Sequence, residues 1–180
     1  MKLLKRILLA VVIIIAIPFV VAIFVKKDYQ IEREILIYAP AFEIFDFIRY
    51  LENQDSFSKW GSMDPDMIQT YRGVDGTVGA ISAWESEDRN VGKGEQEITS
   101  IVDGERIEYE LRFIEPFQST SQAWMTTTPV DESTTLVQWG FKGRMPYPMN
   151  LMLLLMNFDK MLGDDLQHGL DNLKKQMENN

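Results

Sequence analysis

The order of segments along the chain predicts an α+β domain carried behind an apolar N-terminal helix. Three observations predict it. Ile7 to Val25 is a run of 19 residues without a charge. Residues 29–143 read as one strand, one helix and then six strands in quick succession. Residues 149–177 return to helical spacing. One antiparallel sheet packed against a terminal helix is the layered arrangement that suits such an order.

A helix over "ILLAVVIIIAIPFVVAIFV" rises about 1.5 Å per residue and so covers roughly 28 Å, close to the ~30 Å of bilayer hydrocarbon. Lys2, Lys5 and Arg6 precede it, and Lys26 and Lys27 follow. Pro18 lies inside, which a membrane helix tolerates better than a soluble one. The rival is a cleaved signal peptide, with an apolar core of about 7–15 residues ending in small residues. "VVAIFVKK" offers no such site. The expected organisation is therefore a single-pass anchor over residues 1–27 and a domain over 28–180. The heavier basic flank on the N-terminal side places that terminus in the cytoplasm and the domain on the exported side. The absence of cysteine fits either side.

Five of the 18 basic residues flank the apolar run, so residues 28–180 carry 13 of them against all 27 acidic ones, a net of −14. So negative a domain is a poor match for phosphate backbones, which argues against a nucleic-acid partner. It is also repelled by anionic lipid unless tethered.

In "YQIEREILIYAP" (29–40), Ile31, Arg33, Ile35 and Ile37 alternate with Glu32, Glu34, Leu36 and Tyr38, a strand with one mostly apolar face. Pro40 stands where a helix begins, and "AFEIFDFIRYL" puts Phe42, Ile44, Phe45, Ile48 and Leu51 at helical spacings. Residues 52–66 read as an irregular or short-helical connection. Strands follow over roughly 68–72, 78–86, 94–102, 106–114, 120–127 and 134–143. The breaks between them ("GVDG", "EDRNVGKG", "VDGE", "EPF", "VDES") carry turn chemistry and are short enough for a meander. Pro146 and Pro148 end the last strand. A single helix is expected over 149–177, with Phe158, Met161, Leu162, Leu166, Leu170, Leu173 and Met177 on one face and Gly163 and Gly169 marking close packing or a bend.

"EREILIYAPAFEIFDFI", "KWGSMDPDMIQTYRGVDGTVGAISAWES", "TTLVQWGFKG" and "GDDLQHGLDNLKK" together resemble the START, Bet v 1 and polyketide-cyclase-like (SRPBCC) superfamily over residues 29–178. The pieces match its opening strand and Ala-Pro, its Trp-containing loop and Gly-x-x-Gly-x-x-Gly strand pair, its late Trp strand, and the end of its last helix. The resemblance implies the helix-grip fold: a curved seven-stranded antiparallel sheet around a long C-terminal helix, enclosing an apolar cavity. It implies no one function, because members include lipid carriers, binders of hormones and secondary metabolites, and cyclases.

Gly73, Gly76 and Gly79 are expected to let the sheet curl. Trp84, Trp124 and Trp139 each fall in a strand and are expected on the concave face, with Ile98. Tyr109, Leu111 and Phe113 alternate with Glu108, Glu110 and Arg112, so one face of that strand is apolar. From the helical side the expected lining is Leu155, Phe158 and Leu162. For each aromatic taken singly, a filled core is the alternative. "MNLMLLLMNF" (149–158) is apolar nearly all round, which suits a pocket lining, a gate, a bilayer contact or a helix start buried under a loop.

The catalytic equipment is sparse. His168 is the one histidine, and no cysteine exists to complete a zinc site or a nucleophilic dyad, so no metal or cofactor is expected. Asp164 and Asp165 are adjacent and diverge by about 100° on a helix, which excludes a facing carboxylate pair. "GxxGxxG" at 73–79 is followed by no helix start and is a poor phosphate loop. Asp64, Asp66 and Asp75 lie in turn-like segments and are expected to be exposed. Tyr109, Arg112 and Glu108 are the nearest approach to a cyclase set, and nothing in the sequence brings them together.

Three functions are left. The leading one is non-catalytic binding of a hydrophobic small molecule or lipid, with Gln96, Gln122 or Ser82 orienting it. The others are a cyclase- or hydrolase-type enzyme and an acidic module for a membrane partner.

Overall fold

The computed structural model describes residues 2–179. Helix α1 (Lys2–Phe24) contains Pro18 and is exposed along nearly its whole length, with Ala22 buried. It is long and apolar enough to cross a membrane, a property that signal sequences share.

Strand β1 (Asp28–Ile37) leads into α2 (Ala41–Ile48), entered through Pro40, and α3 (Leu51–Phe57). A 3₁₀ turn spans Trp60–Ser62. Strands β2 (Ile68–Arg72), β3 (Ile81–Glu85), β4 (Lys93–Val102), β5 (Arg106–Glu115), β6 (Ser119–Asp131) and β7 (Thr134–Arg144) follow. All pair antiparallel in the order β1-β7-β6-β5-β4-β3-β2, so the meander closes by returning β7 to the first strand. Register shifts at Lys93/Gly94, Ile98/Ser100 and Pro129/Asp131 add bulges that bend the curved sheet. A second 3₁₀ turn (Met149–Leu151), the one-turn helix α4 (Met152–Leu155) and the long α5 (Phe158–Glu178) complete the helix-grip α+β fold.

Several expectations change. The helix expected over 41–51 breaks at Arg49–Tyr50, because the Asp75 carboxylate accepts the backbone N–H groups of Leu51 (2.8 Å) and Glu52 (3.1 Å) and starts a new helix there. Asp75 is thus a half-buried cap rather than a free turn residue. The strand expected from Val78 starts at Ile81. Gly76 and Gly79 have φ of +74° and +88° and make the reversal before β3, so they turn the chain instead of bending a strand. The helix expected over 149–177 is interrupted. Met156 is extended (φ −114°, ψ 140°), and Asn157 restarts the helix by accepting the Lys160 N–H at 3.0 Å.

The two glycines in α5 mark close packing. A Cβ on Gly169 would lie 2.5 Å from the Trp139 ring, and Gly163 rests on the Arg33 guanidinium. Met161 points to solvent, off the apolar stripe formed by Leu162, Leu166, Leu170 and Leu173.

Candidate functional site

Strand register sorts the side chains into two faces. Thr135, Val137, Trp139 and Phe141 of β7 sit beside Thr127, Met125 and Ala123 of β6, which lead to Ile107, Tyr109, Leu111 and Phe113 of β5. Ile98, Gln96 and Gly94 of β4, then Ser82 and Trp84 of β3, continue the same inner face, over which α5 lies. Antiparallel pairing also sorts the strand ends. The start of β1, the end of β7, the start of β6, the end of β5, the start of β4 and the end of β3 all lie at one end of the sheet.

At the opposite end the interior is closed. Ile98, Ile107, Met125 and Val137 are fully buried beneath Leu166, Leu170 and Leu173, with Ile44, Ile48 and Phe57 from α2 and α3 filling the rest. Tyr109 is 1% exposed, its hydroxyl lies 3.5 Å from the Ile48 carbonyl, and burial pushes its phenol pKa up. Trp139 is boxed by Phe57 (ring centroids 5.6 Å apart), Trp60 (6.0 Å) and Gly169.

Near the start of β1 the same face, here called the open end, is covered less completely. Trp84, Leu111, Phe113, Phe141, Phe158 and Leu162 are only half-buried. Trp84 lies across Gly94, where a Cβ would collide with its ring, and meets Phe113 edge-on at 5.9 Å. Tyr29 bridges Phe141 (6.1 Å) and Phe158 (5.6 Å), and burial raises its phenol pKa. The polar groups facing this space are few. Gln96 Nε2 donates to Gln54 Oε1 at 2.6 Å, and Ser82 is buried beside Gln96 on the adjoining strand. On the edge strand the Tyr71 hydroxyl donates to Asp55. Burial lifts both groups above their ordinary pKa values. Tyr71 is raised further by Asp55 itself. For Asp55 the hydrogen bonds from Tyr71 and Gln69 oppose the rise, and Asp75 and Glu52 add to it.

The ten expected lining residues therefore divide. Trp84, Leu111, Phe113, Phe158 and Leu162 come together at the open end. Ile98, Tyr109 and Trp139 share their face but belong to the closed core. Trp124 lies on the convex face, a correction of one position in strand parity. It faces Gly140, whose missing Cβ seats the ring, and it stacks under Arg106 (5.3 Å) while donating to Glu32 at 3.2 Å. Leu155 is 79% exposed on α4, outside the interior. Gln122, Glu108 and Arg112 also occupy the convex face, away from Tyr109; Arg112 is held there by Glu95, Glu97 and Glu110. His168 and Asp164 are exposed on α5, and Asp165 pairs with Lys59. Among the described residues no cluster of His, Cys, Asp or Glu is placed to hold a metal ion.

Sequence reasoning missed Gln54, Asp55 and Asn150. Gln54 carried a signal: it stands three residues from both Leu51 and Phe57, on the buried stripe of α3. Asn150 is fully buried, and its Nδ2 donates to the carbonyls of Ala22 (2.7 Å) and Val25 (3.0 Å) at the end of α1. Two grooves lie elsewhere: one of about 650 Å³ outside α2 and α3, edged by Phe42, Tyr50 and Asp103, and one of about 380 Å³ on the convex face around Trp124 and Arg106.

A curved sheet gripping a helix over an apolar interior that is closed at one end defines the helix-grip class. Within it, the chain belongs to the polyketide cyclase/dehydrase and lipid transport family, whose model matches residues 28–178. No curated protein matches the sequence. Among solved structures, norcoclaurine synthase from Thalictrum flavum, in complex with dopamine and hydroxybenzaldehyde, is 13% identical at a TM-score of 0.61, covering 83% of this chain and 86% of its own. A protein from Nitrosospira multiformis is 17% identical at a TM-score of 0.57, covering 83% and 96%. The Aha1 dimer from Colwellia psychrerythraea is 13% identical at a TM-score of 0.53, also covering 83% and 96%. Likeness at these identities establishes the fold alone.

Proposed function

We propose that the protein binds a hydrophobic small molecule or lipid, without catalysis, at the open end between β3–β5 and the first turns of α5. Residues 1–27 hold it on a membrane as a single-pass anchor, and the domain over 28–180 stands on the exported side. The observation that carries the reading is the half-burial of Trp84, Leu111, Phe113, Phe141, Phe158 and Leu162 on an inner face. Folded domains bury inward-facing side chains of this kind unless something else covers them. Apolar ligand area removed from water supplies affinity at about 25 cal/mol per Å². Gln96, held by Gln54, supplies an orienting polar group of the sort such sites use sparingly. The family's description, which includes lipid transport, agrees with it.

The test is lipid extraction and mass spectrometry on the full chain purified from several hosts. A co-purifying apolar molecule is expected, and it is lost in Leu111→Trp, which fills the open end. Empty protein from every host overturns the reading.

A second reading, a cyclase- or hydrolase-type enzyme, is favoured by the other half of the family's description and by the Tyr71–Asp55 pair at the rim. Turnover of a substrate panel, abolished by Asp55→Asn, would replace the first reading.

A further inference from the structure

The segment between β7 and α5 is bound to the end of α1. Ala22 is buried against it, the Asn150 side chain caps the Ala22 and Val25 carbonyls, and the Met145 N–H donates to the Lys27 carbonyl at 2.8 Å. The charge-free run of α1 ends at Val25. At about 1.5 Å per residue, the Ala22 carbonyl lies roughly 5 Å inside that end. A side chain bonded to it is therefore at the boundary of whatever apolar medium surrounds α1.

The same segment exposes large apolar side chains: Tyr147, Met149, Leu154 (63%) and Leu155 (79%). Phe117, exposed in the β5–β6 turn, lies at the same end of the sheet. Charge agrees with this. The domain holds 27 acidic residues, yet none falls between Ser133 and Phe158, while Lys142 and Arg144 do. Apolar tips without acidic side chains among them, preceded by Lys142 and by Arg144, which pairs with Asp28, suit a segment lying in a lipid interface.

We propose that residues 145–157 form a second membrane element. Leu154 and Leu155 sit among the acyl chains of the leaflet in which α1 ends, and the open end of the grip faces that leaflet. The proposal rests on the anchor reading of α1. Its occupant is lipid rather than protein because the segment continues the apolar surface of α1 and is fixed to it by Asn150. It gives the open end a source of ligand: lipid from the membrane beneath it, reached without crossing water.

The chain has no cysteine, so single labelling sites are easily made. Ile14→Cys, Leu155→Cys and Val130→Cys, each on the full chain, are labelled with an NBD fluorophore and reconstituted in phosphatidylcholine–phosphatidylglycerol vesicles with or without doxyl lipid. Position 130 lies at the opposite end of the sheet beside Asp131 and Glu132. The expected result is blue-shifted emission quenched by doxyl lipid at 14 and 155, with shallow doxyl groups the more effective at 155, and water-like, unquenched emission at 130. Quenching at 14 with water-like emission at 155 overturns the inference and leaves the anchor standing. A blue shift at 155 without quenching means that a protein surface, such as a second copy, covers the segment, and also overturns it. No quenching at 14 removes the anchor and the inference together.

Discussion

Tyr109 and Trp139 are fully packed, while Leu111 and Phe141, two residues further along the same strands on the same face, are only partly buried. The side chains are of one kind and the sheet is continuous; what differs is the roof. Over the closed end α2, α3 and the later turns of α5 converge, with Ile44, Ile48, Phe57, Leu166, Leu170 and Leu173 interlocked. Over the open end the first turns of α5 arrive, preceded by a helix of a single turn, and α3 reaches in only through Gln54 and Asp55. One face thus serves as a core where helices close it and as a site where they do not, so truncation should separate the two ends by what it damages.

The closed end should break first. Leu170→Ala removes a fully buried side chain from a packed interior and is expected to cost about 2–5 kcal/mol of unfolding free energy. Thermal unfolding of the full chain in detergent, followed by circular dichroism, measures it. Gly169→Ala comes next. The new methyl would lie 2.5 Å from the Trp139 ring, which Phe57 and Trp60 prevent from moving away, so overpacking costs about 1–3 kcal/mol by the same assay.

Asp75→Ala tests the roof indirectly. It removes a carboxylate that caps α3 and also accepts the Gly76 N–H at 2.7 Å, at an expected cost of about 1 kcal/mol. Phe113→Ala sharpens the contrast. Its side chain is only partly buried and its main partner is Trp84, so at most about 1 kcal/mol of stability goes with it. Yet co-purified ligand should fall well below the native level. Equal losses of stability at Phe113 and Leu170 would show that the open end is core as well.

The division between the ends was only partly legible in the sequence. Element order and the alternation in β1 and β5 determine the sheet, because a period of two assigns faces wherever polar and apolar residues strictly alternate. In β6 they do not. Gln122, Trp124 and Thr126 look no less suited to the interior than Ala123, Met125 and Thr127, and the structure sets Trp124 one step of parity away from the expected face. The helix break before α5 is marked by Asn157 with Asp159 in the turn that follows, but the run of Met and Leu before it hides the signal. Asp75 and Asn150 carry no local mark, since each caps a helix far from it in sequence. Coverage by a distant helix is a tertiary fact, so the same pattern of apolar residues specified both a filled interior and an open one.

The smallest effect concerns how the open end is held. Arg33 reaches from β1 under the start of α5, donating to the Asp159 carboxylate (3.0 and 3.2 Å) and to its backbone carbonyl (2.9 Å). The guanidinium holds the Asp159 carboxyl below the usual carboxylate range. A carboxyl whose folded pKa is depressed stabilises the fold above its ordinary pKa, and that contribution is lost as pH falls through the lowered value. Because Asp159 is well exposed, the change in overall stability is small. The local change is the telling one. Hydrogen exchange over residues 158–163 should accelerate in Asp159→Asn while residues 166–173 keep their protection, and the native protein should approach the variant's behaviour as pH falls through the lowered Asp159 pKa. Equal acceleration along all of α5 would mean that the helix is gripped as one body and that its two ends do not open separately.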